Sequence, residues 1–518
     1  MARSLLALLL PLLLACQAGG ELLMVYSVQR HGARNVLPKT ATLKESDAAG
    51  GPTLLPEGQL QAYKVGVAYR ERYMNPEGCG RNASLTGATC LEAELAEPGP
   101  EYGVVGSPDG LFNNFNTMVR SSSLDRTIMT ARSFLDGAFP PINQPTATKY
   151  LPDGQQVVPV YALPEDGSGA LIRSYTMCPA YDARLTDWYA SDEFKAKEAE
   201  TKPLRDTIAA AAPGLDTSLK NWWNVYDGFN VFRTYGVGTP MPTIPDATFD
   251  EMQQVAYWLE TAKMRSELTG NLLGGLVLAD LVRYLDAAEA ATASNDVELI
   301  YYKMLHLSGH YNTQLGLLGA LQIDQDPATA NFTWFKKIPS LAAVMAFELH
   351  SDPSTRPADL AVRLVMQDGA GKPYTTIPLP CASAGDSAEA LAGPGACSLD
   401  AFRALAEPLA FNTTGDWCTA CGNTKMSTCQ LQQAAQNITQ LEARLSGSST
   451  SDGSSSSSGS SSGSGLSGGA VAGIAVGCAA AVAALLSAAF FVYHRKVTAQ
   501  LKQAHLADTY GNSVPFAA

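Results

Sequence analysis

The chain has 518 residues, 46% of them hydrophobic, and a formal net charge of −13 at pH 7. That apolar content excludes a disordered chain, and the length leaves room for a large core and two lobes. The acidity excludes a nucleic-acid-binding face, so an anionic ligand has to be drawn in by a local cluster of positive charge.

The N-terminus reads as an export leader over residues 1–19: Arg3 opens it, residues 5–14 form the apolar run, and small residues around Ala15 and Gly19 supply a cleavage region. Around Cys16 the sequence also resembles a lipoprotein box, a reading that the C-terminal span described below disfavours. Sequons at Asn82, Asn331, Asn412 and Asn437 fit the same secretory route. Setting Cys16 and Cys478 aside leaves an even set, Cys79, Cys90, Cys178, Cys381, Cys397, Cys418, Cys421 and Cys429, which reads as disulfides in an oxidising compartment. Zinc at Cys418, Cys421 and Cys429 lacks a fourth ligand at suitable spacing.

An apolar run over residues 22–28 predicts a strand buried on both faces, as in a parallel sheet. Directly after it comes Arg30-His31-Gly32-Ala33-Arg34. Two guanidinium forks can grip a doubly charged oxyanion, and an imidazole between them can attack phosphorus or shuttle a proton. Gly32 lets the backbone approach a bound anion. Pro56 opens a helix expected to bury Leu60, Tyr63 and Val67. Residues 75–110 read as an excursion loop closed by Cys79 and Cys90.

A strand at Thr117-Met118-Val119 leads to Arg120-Ser121-Ser122-Ser123 and a helix with Ser123 as N-cap and Leu124, Ile128, Ala131 and Leu135 on one face. By that logic of strand, arginine at the tip, then helix, Arg120 points into the same crevice as His31. Residues 150–290 read as a mostly helical insertion, with the pair Trp222 and Trp223, closing on the stripe Leu278, Leu281, Val282 and Leu285. A strand over residues 303–307 then delivers Ser308-Gly309-His310-Tyr311 to a third helix start, and residues 362–366 form a late strand. His306 with His310 matches the spacing of an H-x-x-x-H zinc pair, but Ser308-Gly309 interrupts the helix such a pair needs. Residues 446–469 are nearly pure Ser and Gly, a stalk. Residues 470–493 carry no charge and are followed by His494-Arg495-Lys496, predicting one membrane-spanning helix and a cytosolic tail over 494–518. Gly469, Gly473 and Gly477 form GxxxG steps that would support a homodimer through that helix.

Several of these stretches, in this order, resemble the histidine acid phosphatase family, branch 2 of the histidine phosphatases. Arg30 to Arg34 match its RHGxR signature, and Leu55-Pro56-Glu57-Gly58-Gln59 through Tyr73 resemble its first helix. Further matches are Arg120-Ser121-Ser122-Ser123-Leu124-Asp125-Arg126-Thr127, Gly274-Gly275-Leu276, Phe347-Glu348-Leu349 and Leu379-Pro380-Cys381. The resemblance spans about residues 21–430 and implies an α/β fold with a phosphoglycerate-mutase-like central sheet flanked by helices. The domain would run over 20–445, its core from about 20–145 and 295–445, its helical cap from about 150–290. It implies an acid phosphatase acting on phosphomonoesters without metal or cofactor. His31 would be the nucleophile, forming a phosphohistidine; Arg30, Arg34 and Arg120 would clamp the phosphate, and His310 would bind the phosphoryl oxygens. Cys381 and Cys397 resemble a local family disulfide, and Cys178 resembles the cysteine that bridges to Cys418 or Cys421.

One position departs. Where the family places a carboxylic acid after the second histidine to protonate the leaving alkoxide, this chain has Tyr311. Tyrosine is a far weaker acid than aspartic acid, and a lost general acid costs about 10²–10⁴ in rate. Glu348 and Asp352 are the substitutes considered. Two functions are therefore expected to compete: a membrane-anchored phosphatase, and a phosphate-binding or adhesion protein on the same scaffold with weakened or no turnover.

Overall fold

The computed structural model describes residues 21–36, 51–74, 112–141, 152–293, 302–325, 336–352 and 359–447. The leader, Cys79, Cys90, Asn82, Asn331, the stalk from 448 onward, the span 470–493 and the tail lie outside the described residues. Among the described residues no helix is long and apolar enough to cross a membrane. Met1–Leu441 form one unit, described below; Glu442–Ala518 form a second, of which only the end of one helix is described.

The apolar run at the start becomes β1 (Glu21–Arg30), the middle of a mixed sheet. Its companions are β2 (Thr117–Ser122), β3 (Tyr161–Leu163), β4 (Met304–Gly309), β5 (Val344–Ser351), β6 (Leu360–Gln367), β7 (Tyr374–Ile377) and β8 (Cys397–Ser398). The order is β3-β2-β4-β1-β5-β6-β7, with β8 beside β6. Strands β1 to β4 pair in parallel; β5, β6, β7 and β8 join antiparallel. Continuous apolar runs suit the centre of such a sheet because both faces are covered, and every residue of β4 and β5 is buried.

Two helices cover one face, α1 (Pro56–Tyr73) and α2 (Asp125–Ala138). The buried side of α1 is Gly58, Ala62, Val65, Gly66 and Tyr69, not the expected side: Leu60 and Tyr63 are 52% and 42% exposed. The reason is how closely α1 and α2 approach. A Cβ on Gly66 would lie 2.0 Å from the Phe134 carbonyl oxygen, and one on Gly137 2.2 Å from that of Tyr63. Glycine is needed where the two backbones meet, with Val65 and Tyr69 buried beside it, and Leu60 and Tyr63 fall on the outer side. Ser123 does not cap α2; Leu124 is the residue before the helix and no side chain caps it.

His306 in β4 faces this layer, its ring stacked on Phe134 with centroids 4.1 Å apart. It is fully buried beside Ser27 and Gln29, and burial pushes its pKa down to about 3. The folded state therefore holds His306 neutral where the unfolded chain, with an ordinary value near 6.5, takes a proton. Stability should fall with acidification from about pH 6.5 to about pH 3, by about 1.4 kcal/mol per pH unit from this residue. Urea unfolding of His306→Gln should show a slope against pH shallower by about that amount between pH 4 and 6. An unchanged slope would mean His306 is not held neutral.

The other face packs under α8 (Gly275–Ala293) and α9 (Tyr311–Ala320), with Leu278, Leu281, Val282 and Leu285 buried as the stripe predicts. Between β3 and α8 the chain forms α3 (Pro179–Tyr189), α4 (Asp192–Glu200), α5 (Lys202–Ala211), α6 (Trp222–Tyr235) and α7 (Asp246–Lys263). These helices share their own apolar cluster around Trp188, Phe194, Ile208, Trp222, Met252 and Leu259. Three disulfides tie the C-terminal part: Cys178–Cys421, Cys381–Cys397 and Cys418–Cys429. Cys178 thus bridges to Cys421, which leaves Cys418 for Cys429. Asn412 and Asn437 are exposed.

Candidate active site

Parallel register fixes where the polar clusters fall. Arg30 lies opposite Gly309, and Ser121 opposite Ser308, so β1, β2 and β4 end at one edge of the sheet. His31 follows β1 there, and His310 follows β4 as the residue before α9. This is the edge where open α/β sheets place ligands. Backbone bonds hold the first stretch: the His31 amide donates to the Gly309 carbonyl at 3.0 Å, and the Ala342 amide to the His31 carbonyl at 3.1 Å. The Gly32 amide donates to Thr130 Oγ1 at 3.1 Å and that of Ala33 to Gln61 Oε1 at 2.9 Å. Gly32 was expected to admit an anion; its actual neighbour is α1. A Cβ there would lie 2.3 Å from the Gly58 carbonyl oxygen, and one on Gly58 would lie 2.1 Å from that of Ala33.

The His31 ring is 3% exposed and its Nδ1 lies 2.8 Å from the Gly32 carbonyl oxygen. A carbonyl only accepts, so Nδ1 carries the proton and Nε2 keeps its lone pair. Burial first, then the charges of Arg126, Arg34 and Arg30, hold the His31 pKa well below the usual histidine range. The His310 ring sits 5.5 Å from it, centroid to centroid, with Ser122 Oγ 3.2 Å from Nε2. His310 is also held far down, by burial, Arg126, His31 and Arg173. Two neutral imidazoles face a ring of guanidinium groups.

That ring differs from the expected one. Arg30 and Arg34 are present: Arg30 donates to the Pro339 carbonyl and stacks over Tyr311, while Arg34 pairs with Asp227 at 2.9 Å. Arg120 is elsewhere. It is ion-paired with Asp280, which also accepts from Tyr26 at 2.8 Å and from Arg283 at 2.6 Å. It lies opposite Leu307, level with Val28, two residues short of the edge. Arg34 and, more strongly, Arg126, 2% exposed near the start of α2, act on both histidines. Burial, reinforced by Arg34 and Arg173, pushes the Arg126 pKa down to about 9. Arg126 belongs to the same quoted stretch as Arg120; its place at a helix N-terminus aimed at the edge was the available signal. Arg173, 1% exposed and paired with Glu165, also acts on His310, and no sequence signal marked it.

The Tyr311 hydroxyl does not face the histidines. It donates to Glu260 Oε2 at 2.7 Å, and Glu260 is paired with Lys263 at 2.6 Å. Burial, then Glu260, pushes the Tyr311 pKa well above the ordinary tyrosine value. The two substitutes do not serve either. Glu348 is fully buried in mid-sheet, accepting from Arg72, Tyr73 and Arg363. Burial raises its pKa, but Arg72 and Arg363 outweigh this and hold it well below the carboxylate range. Asp352 follows Ser351, which pairs with Glu21 at the opposite end of β1.

Outside the arginines opens a pocket of about 410 Å³, lined by Arg30, Arg34, Trp223, Tyr226, Asp227 and Tyr257 among others. Among the described residues no cluster of three or more His, Cys, Asp or Glu is arranged to hold a metal ion.

The family model of the histidine phosphatase superfamily (branch 2) matches residues 46–367. Lysosomal acid phosphatase of Xenopus laevis is 26% identical over 320 residues, covering 60% of this chain and 65% of that protein, just under two thirds of its length. Human lysosomal acid phosphatase is 24% identical over 410 residues, covering 77% of this chain and 80% of that one. Among solved structures, the apo form of Hafnia alvei phytase aligns with a TM-score of 0.46 at 14% identity, over 78% of this chain and 99% of that one. The chain belongs to the histidine phosphatase superfamily, branch 2.

Proposed function

We propose that this chain is an acid phosphatase that hydrolyses phosphomonoesters through a phosphohistidine at His31. The observation that carries it is the free Nε2 of a neutral His31 set among Arg30, Arg34 and Arg126. Crowded buried cations depress one another, and a bound phosphate dianion relieves that repulsion. Nε2 attacks phosphorus, the ester oxygen leaves toward the pocket, and the arginines with His310 stabilise the charge on the equatorial oxygens. Water then cleaves the phosphohistidine. Because both imidazoles resist protonation, the nucleophile stays competent at acid pH.

The setting we propose follows composition: a leader over 1–19, a catalytic domain over 20–445 with the helices between β3 and α8 as its cap, the stalk, a membrane anchor over 470–493 and a cytosolic tail. The catalytic domain is lumenal or extracellular, glycosylated at Asn412 and Asn437 among other sequons, and dimerisation proceeds through the anchor. The orientation of Tyr311 toward Glu260 favours the second reading, a phosphate binder with little turnover. Rapid alkaline quench during turnover of a phosphate-labelled aryl phosphate separates the two. Label bound to protein, stable in alkali and lost in acid, is expected; phosphate bound without any covalent label would support the binder.

A further inference from the structure

We propose that Asp227 is the proton donor to the departing alkoxide, an assignment that rests on the hydrolytic reading above. The position beside His310 holds a tyrosine whose hydroxyl is committed to Glu260. Among the other carboxylates near the site, Glu260 is engaged by Lys263 and Tyr311, and Asp368 by Lys337 at 2.5 Å and the Ser340 amide at 2.8 Å. Asp227 lines the pocket as Asp368 does, but its partner is an arginine of the histidine edge: it stands on α6 with its Oδ2 2.9 Å from Arg34 Nη1. Arg30 and Arg126 also feel its charge.

Geometry gives it access. A phosphate oxygen gripped by Arg34 lies within about two hydrogen-bond lengths, about 6 Å, of the Asp227 carboxylate. In-line displacement sends the leaving oxygen away from His31. His31 is buried and its sequence neighbours Arg30 and Arg34 line the pocket, so an ester substituent that passes those arginines enters the pocket where Asp227 stands. When phosphate takes over Arg34, the Asp227 carboxylate is released from its ion pair and left beside the bound ester.

The step balances. Nε2 of His31 forms the N–P bond as the P–O bond to the alcohol breaks; the electron pair goes to the alcohol oxygen, which takes the Asp227 proton. In the second half, water attacks phosphorus, returns a proton to the Asp227 carboxylate and leaves phosphate and free His31. The same cap helix thus supplies the acid that the sheet edge lacks.

The test uses the full chain and Asp227→Asn, nearly isosteric, following alcohol release in a single turnover with an aryl phosphate, whose leaving group needs no proton, and an alkyl phosphate, whose leaving group does. Release from the alkyl ester should fall by about 10²–10⁴, and from the aryl ester by less than about tenfold. Asp227→Glu should recover part of the alkyl rate. Equal losses on both esters, or no loss, would overturn the assignment alone, since they would mean Asp227 merely positions Arg34 or does nothing. A wild-type chain inactive on the aryl ester would overturn the hydrolytic reading and this assignment together.

Discussion

His31→Ala should lower aryl phosphate hydrolysis at acid pH by about 10⁴ or more while leaving phosphate binding measurable. The nucleophile has no understudy at the edge: His310 is the other imidazole there, with Ser122 Oγ against its Nε2. The fold should tolerate the change. The backbone bonds of residue 31, to Gly309 and Ala342, do not involve the side chain. The ring itself makes one hydrogen bond, to its own neighbour Gly32. Removing it also relieves part of the depression of the His310 pKa, which the neighbouring His31 ring helps hold down. The variant should therefore retain vanadate or phosphate binding through Arg30, Arg34 and Arg126, seen as a thermal shift on adding ligand. A variant that turned over aryl phosphate at the wild-type rate would remove His31 as nucleophile. One that lost binding as well as turnover would show that the ring organises the clamp.

Much of the scaffold was legible because a parallel sheet writes itself as apolar runs ending in polar clusters. Residues 22–28, 303–307 and 362–366 each lie within or overlap a strand, and the clusters after β1 and β4 meet at one edge. What the sequence hid was direction. Helical periodicity marks an amphipathic helix by its large apolar residues, yet the face α1 buries is set by Gly66, where α2 approaches too closely for a Cβ, and this leaves Leu60 and Tyr63 outside. The reading of Gly32 failed for a related reason: the backbone that needed its missing Cβ was that of Gly58, distant by 26 residues. Tyr311 follows His310 at the start of α9, but a hydroxyl at the end of a long ring finds its partner in tertiary structure, here Glu260 from α7. Asp227 carries no local motif and gains meaning only when α6 brings it to Arg34.

The arginine pair Arg120 and Arg126 tests that lesson about direction most sharply, because the two substitutions should have opposite signatures. Arg120 lies two strand residues, about 7 Å, below the edge, and its guanidinium neutralises Asp280. In Arg120→Ala, Asp280 keeps Arg283 and Tyr26 but loses its buried cation. Unfolding free energy should drop by about 2–3 kcal/mol, while the rate of the folded enzyme changes by less than about threefold. Arg126 is the reverse case. Its charge is buried against like charges, so the folded state carries an electrostatic cost that binding repays. Arg126→Ala should leave the thermal midpoint unchanged or raise it, and should cut kcat/KM by about 10²–10³, the size of one lost electrostatic contact to a transition-state oxygen. Thermal melts with and without phosphate, beside aryl phosphate kinetics, read both quantities on the same preparations. Arg120→Ala that loses activity at full stability would put Arg120 back in the clamp; Arg126→Ala that keeps full activity would take Arg126 out of it.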